Sequence, residues 1–140
     1  MSGIVVGIDG STGSHPALQW AAQEAADRKA ALAVVYVHQV AVSFWTGSSI
    51  LYPVDKSEQE SERQLVEEAA RKVTSQLLSQ PASLTVTVPA GAVARELLDA
   101  AKDADLLVVG TRGGGGLGSL GSVASQVVHH AKCPVVVVPS

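Results

Sequence analysis

The chain of 140 residues contains one cysteine, one methionine and one phenylalanine, and aromatic residues make up only 4% of it. A lone cysteine cannot close an internal disulfide, so the expected compartment is the cytoplasm. No apolar run approaches the roughly 20 residues that a membrane-spanning helix needs. Met1-Ser2-Gly3-Ile4 lacks the charged and long apolar regions of a secretory leader. Basic residues are scarce too: the net charge of −3 opposes a general nucleic-acid surface, which wants a basic face. Gly-Lys followed by Ser or Thr occurs nowhere, which excludes a Walker phosphate loop. His15, His38, His129 and His130 show no metal-ligand spacing with Cys133 or with one another. His129-His130 suits the negative end of a helix, and Cys133, before Pro134, reads as a packed thiol.

With so few aromatics, the 46% of apolar residues must build a core of Val, Leu, Ile and Ala. Val-rich runs alternate with Ala/Leu stretches, the pattern of one domain, 1–140, with a parallel sheet covered by helices. Gly3 to Ile8 reads as a buried strand stopped by Asp9-Gly10, a strong turn signal. Ser14 is a candidate helix cap with Pro16 in the first turn, and Leu18, Ala21, Ala22 and Ala25 form one apolar stripe. Ala31 to Val37 is the second strand, and His38 to Asp55 reads as a long irregular connection. Ser57 to Gln80 is a helix with Leu65, Val66, Ala69, Val73 and Leu77 on one face and its charges on the other. Ser83 to Val88 alternates, as an edge strand does, and Pro89-Ala90-Gly91 turns it. A third helix carries Val93, Leu97, Leu98 and Ala101. Leu106 to Val109 is the fourth strand, Val123, Val127, Val128 and Ala131 mark the fourth helix, and Pro134 to Val138 is the fifth strand. Trp20 lies off the first helix's stripe, Trp45 in the long connection; each is open as a partner contact or a cover on the core.

Beyond Val109 the composition changes abruptly: six of the nine residues from Gly110 to Gly118 are glycine, and a helix pattern starts at Gly121-Ser122. Strand, glycine loop and helix start follow in the order a phosphate-binding turn needs; the plain alternative is a flexible connector. Glycines let backbone N–H groups approach an anion, and the first helical N–H groups lie at the positive end of the helix dipole. Gly113, Gly115 and Gly118 fit a dinucleotide fingerprint, but that motif belongs after the first strand with an acidic residue about 20 positions on, and none follows here. A sheet ordered 3-2-1-4-5 reverses direction between its first and fourth strands, and ligands of open α/β sheets bind at that reversal, at the strands' carboxyl ends. Asp9 and Gly110 then flank the crevice. The rival order 2-1-3-4-5 would bring Pro89 to Gly91 there instead; the local chemistry favours the first. Asp9 can accept from a ribose hydroxyl or an adenine amino group, and Ser122 can cap its helix and also donate to a phosphate.

Four blocks carry a resemblance to a known family: V-V-G-I-D-G-S from Val5, V-V-Y-V-H from Val34, A-D-L-L-V-V-G-T-R-G from Ala104, and G-S-V-A-S-Q-V-V-H-H-A-K-C-P-V-V-V-V from Gly121. In this order they resemble the universal stress protein family. The resemblance implies a five-stranded α/β sheet, Rossmann-like, and a homodimer paired through the last strand, here Pro134, Val135, Val136, Val137 and Val138. It implies adenine-nucleotide binding, with ATP, with or without Mg2+, as cofactor, in a stress-response regulator that binds or slowly hydrolyses rather than turns over. The implied contacts are Gly7, Ile8 and Asp9 on the adenine and ribose side, Val37 against the base, Gly110, Thr111, Arg112 and Gly113 along the ribose and phosphate path, and Gly121, Ser122, Val123 and Ala124 at the phosphates. The ATP-binding branch carries G-x2-G-x9-G-[ST]. This chain has Gly110, Gly113 and Gly121-Ser122, but its last spacing is two residues short. The alternative is therefore a dimeric interaction module that binds no nucleotide. A nucleotidyl transferase is disfavoured, since H-x-G-H and S-G-G-x-D-S are absent.

Overall fold

The computed structural model describes residues 3–8, 15–39, 42–45, 48–51, 56–111 and 121–139. The Asp9-Gly10 turn, the Ser14 cap and most of the glycine loop, 112–120, lie outside the described residues. Five strands form one parallel sheet: β1 (Ile4–Ile8), β2 (Ala31–Tyr36), β6 (Ser83–Thr87), β8 (Leu106–Gly110) and β9 (Val135–Val138). Their order is β6-β2-β1-β8-β9. Counted among the sheet's own five strands, this is 3-2-1-4-5; the labels run higher because four shorter strands interrupt the chain. Helices α1 (His15–Arg28), α2 (Lys56–Ser75), α3 (Val93–Ala100) and α4 (Ser122–His130) make the crossovers. No described helix is long and apolar enough to cross a membrane.

Alternation along the strands divides the core in two, because successive side chains point to opposite faces. Ile4, Val6, Leu32, Val34, Leu106 and Val108 pack with α1 and α2 on one face. Val5, Val35, Leu107 and Val109 pack with α3 and α4 on the other. The alanine stripe of α1 is buried in full, with Ala17 and Ala26 added to it. Side chains that end at Cβ let this helix lie close to the central strands. It ends with Lys29 at φ 53, and the Ala30 N–H reaches back to the Ala25 carbonyl at 2.8 Å, a Schellman closure that launches β2. At the sheet edge, Ser83, Thr85 and Thr87 of β6 face outward and Leu84 and Val86 pack inward, as its alternation implies.

Three expectations need correction. The stretch 38–55 is not wholly irregular: it holds β3 (His38–Gln39) and an antiparallel hairpin of β4 (Val42–Trp45) and β5 (Ser48–Leu51). Trp45 pairs with Ser48, leaving Thr46-Gly47 as the two intervening residues, and X-Gly between β-branched or aromatic runs is a hairpin signal. On α2 the buried stripe is Val66, Ala70 and Val73, while Leu65 is 68% exposed. Leu65 sits one residue, about 100° of helix rotation, off that stripe. The helix also stops at Ser75, leaving Leu77 to pack against the core from a turn. On α4 the core is met by Ala124 and Val127, and Val128 is 45% exposed. The charges of α2 form a solvated face except for Glu62, which turns inward to His38: Arg63 bridges Glu60 and Glu67 and holds both carboxyls below the usual range, and Glu67 also meets Arg71.

Gly7 has a packing reason. A Cβ built on it would lie 2.7 Å from Leu97 Cδ1, so the missing side chain is the space that lets α3 seat its buried leucine on β1. Gly7→Ala is expected to cost about 1–3 kcal/mol by overpacking. Urea unfolding should show a smaller cost in a Leu97→Ala background; equal costs in both would contradict the contact.

Candidate ligand crevice at the β1–β8 seam

The pairing registers locate an opening. β1 stays paired with β2 through Ile8↔Tyr36, and β8 stays paired with β9 through Gly110↔Val138. Between β1 and β8, however, the ladder runs only from Ile4↔Leu106 to Val6↔Val108. Among the described residues the ladder between the two central strands therefore ends at Val6 and Val108, short of their carboxyl ends. Chain direction reverses at this seam, since β2 and β6 lie on one side of β1 and β8 and β9 on the other. A crevice at such a reversal, at the carboxyl ends, is the place where open α/β sheets take ligands.

On the β8 side the rim is fixed by hydrogen bonds. The Thr111 N–H donates to the Val138 carbonyl at 3.1 Å, which carries the β8–β9 ladder one residue past Gly110. The Gly121 N–H donates to the Thr111 carbonyl at 2.6 Å. This bond ties the two ends of the glycine loop together and holds the start of α4 beside the end of β8. Gly121 is the N-cap residue, with φ −66 and ψ 167, and the next turn closes with Ser125 N–H to the Gly121 carbonyl at 2.9 Å. The N–H groups of Ser122, Val123 and Ala124 fall in the first turn of the helix, where no intrahelical acceptor exists. They form the positive end of the α4 dipole, a ready acceptor of negative charge.

The expected site residues divide by what they can offer. Gly110, Thr111, Gly121 and Ser122 are brought together by the bonds above. Ser122 occupies the first helical position rather than the cap, and it is exposed. Ala124 is 2% exposed and packs in the core with Val127, so its methyl faces inward and only its backbone can serve a ligand. A hydroxyl at that position would point at the core. Gly7 and Val37 are likewise buried on the α3/α4 side and present backbone alone, while Ile8 is half-buried at the tip of β1. Asp9, Arg112 and Gly113 lie outside the described residues. Val135 to Val138 are half-buried on an edge strand and Pro134 is exposed; β9 pairs only with β8 among the described strands.

Two features were not legible beforehand. β7 (Ala90–Gly91) pairs in parallel with β3, as His38↔Ala90 and Gln39↔Gly91, and continues the pairing of β2 with β6 past their carboxyl ends. Gly91 has φ +153, a conformation that residues with a side chain rarely adopt. The second feature is a hydrogen bond between His38 Nδ1 and the Glu62 carboxylate, at 2.6 Å. Cys133 is half-buried, and burial pushes its thiol up, only partly offset by its hydrogen bond with the Leu107 backbone. It is a packed thiol rather than a nucleophile. Among the described residues no three His, Cys, Asp or Glu side chains are placed to hold a metal ion.

A five-stranded parallel sheet with this order, flanked by helices, defines a doubly wound α/β domain. The sequence profile of the universal stress protein family matches residues 1–139, and the chain belongs to that family. A universal stress protein of Mycolicibacterium smegmatis is 39% identical over 140 residues, covering 97% of this chain and 47% of that protein. The chain thus spans about half the length of the curated relatives it matches. Among solved structures, the universal stress protein UspA from Lactobacillus plantarum superposes with a TM-score of 0.74 at 25% identity, over 98% of this chain and 97% of its own. A universal stress protein solved in complex with cAMP superposes with a TM-score of 0.69 at 25% identity, over 99% and 96%.

The bond at the loop's base can be tested without a ligand. Proline fits φ −66 but lacks the donor. Gly121→Pro should cost about 1–3 kcal/mol in urea unfolding, because the Thr111 carbonyl loses its partner. Gly121→Ala keeps the N–H and should cost less than half as much; equal costs would show that the bond does not tie the loop.

Proposed function

We propose that this chain, acting as one universal stress protein domain, binds an adenine nucleotide in the crevice between β1 and β8 and serves as a regulator in stress response. The observation that carries the reading is the end of the β1–β8 ladder at Val6↔Val108, with the N-terminus of α4 held beside the end of β8. The crevice is read at the sheet's reversal point, with the positive end of the α4 dipole on one wall. The family member in complex with cAMP supports an adenine nucleotide as the ligand class. The base and ribose lie on the β1–β2 side, against the backbone of Gly7, Ile8 and Val37 and the Asp9 carboxylate. The phosphates lie toward Gly110, Thr111, Arg112 and Gly113, and meet Gly121, Ser122, Val123 and Ala124 through backbone N–H groups and the Ser122 hydroxyl. ATP is the proposed nucleotide. Mg2+ would ride on the phosphates themselves, since the described residues bring no carboxylate cluster to it. The proposed chemistry is binding, with hydrolysis slow at most.

The same reading makes the protein a cytoplasmic homodimer. β9 is an edge strand of four valines, half-buried in the isolated chain, and an apolar edge of this kind is blunted by pairing with a second copy. A second reading is favoured by one observation, the spacing from Gly113 to Gly121, two residues shorter than in the ATP-binding pattern. In that reading the domain is an interaction module that does not bind nucleotide.

Thermal unfolding with MgATP, ADP, AMP and cAMP separates the two. A ligand at 100 times its dissociation constant adds about 2.7 kcal/mol, a shift of several degrees for a domain of this size. The expected result is a shift with every adenine nucleotide, largest with ATP. No shift with any of them would select the nucleotide-free module. Asp9→Ala should weaken binding by about 1.5–3 kcal/mol, and unchanged affinity in titration calorimetry would remove Asp9 from the site.

A further inference from the structure

Four polar contacts converge where β2 and β6 end. The His38 N–H donates to the Pro89 carbonyl at 2.8 Å, and β3 pairs with β7 immediately beyond. From α2, Gln59 Nε2 donates to the Val88 carbonyl at 2.9 Å. One turn on, Glu62 meets His38 Nδ1 at 2.6 Å, with the two side chains only 18% and 24% exposed. A carboxylate can only accept, so Nδ1 carries the proton in this bond. Gln59 and Glu62, three apart, share one face of α2 and grip the chain on either side of Pro89 and Val37.

Helix docking does not need these contacts. Val66, Ala70 and Val73 already seat α2 on the sheet. Shielding a His–Glu pair from water costs desolvation that an apolar pair would avoid, so its presence is weak evidence for stability. What directional bonds add is register: they fix where the end of β2 lies along the sheet. Val37, the residue before His38, is the backbone against which the base is proposed to lie. We infer that Glu62 and His38 are a positioning pair for the base-side wall of the nucleotide crevice, holding the carboxyl end of β2 in the geometry that receives adenine. The inference rests on the nucleotide-binding reading and names residues outside the contacts of that reading.

The test uses the full chain, with titration calorimetry of AMP, ATP and GMP well below the unfolding temperature of each variant. Glu62→Ala should weaken AMP and ATP by the same factor, about tenfold, because both share the base. It should also lower the preference for AMP over GMP. Glu62→Gln keeps an oxygen acceptor for Nδ1–H and should recover most of the affinity and the preference. Unchanged AMP affinity in Glu62→Ala would overturn the inference while leaving the crevice reading intact, and so would weaker binding with the AMP-over-GMP preference preserved or Glu62→Gln behaving like Glu62→Ala. A wild-type protein that binds none of the three would overturn the crevice reading and this inference with it.

Discussion

Right-handed crossovers leave a parallel sheet that begins in its middle with one unavoidable seam. β1 is that middle strand here; the chain first builds outward through β2 and β6, then returns across β1 to build β8 and β9 on the far side. At the seam the two strands share only the pairs from Ile4↔Leu106 to Val6↔Val108, whereas each keeps its outer partner to its own end. The rest of the molecule accommodates this constraint. The alanine face of α1 covers the central strands closely, Gly7 gives way to Leu97 of α3, and the Gly121–Thr111 bond returns the chain to the lip of the seam with a helix N-terminus aimed along it. On the proposed reading, binding at the lip draws mainly on backbone N–H groups and a helix dipole.

Much of this was legible because it is local. β-branched runs ending in Asp9 or Gly110, the alanine repeat of α1 and the alternation of 83–88 each specify an element by themselves, and their order implies the sheet. Resolution failed where two local readings fit equally well. Four neighbouring apolar residues on α2 or α4 admit two stripes, and only the packed sheet decides that Val66 and Val127 turn inward while Leu65 and Val128 turn out. The N-cap of α4 is Gly121, one residue before the Ser122 that the sequence offers, because either residue can start a helix. The β4–β5 hairpin was hidden by a mixed composition, although Thr46-Gly47 between Trp45 and Ser48 carried its signal.

Non-local contacts were not legible at all. Nothing in Gly7 announces a leucine in α3, and nothing in His38 announces Glu62 in α2; each pair forms only once the crossovers have stacked the layers. For the proposed site, the glycines marked the β8–α4 junction in the sequence, but they did not reveal that Ala124 faces the core or that β3 pairs with β7.

The most direct test of the account is an amide chemical-shift titration of the isotope-labelled chain with AMP and then MgATP. The account predicts that AMP perturbs the amides of Gly7, Ile8 and Val37 together with Gly110 and Thr111, that MgATP adds Gly121, Ser122 and Val123, and that Ser83 to Thr87 at the far edge stay unmoved. Perturbations confined to the far edge or to the outer face of α2, with the seam silent, would contradict it.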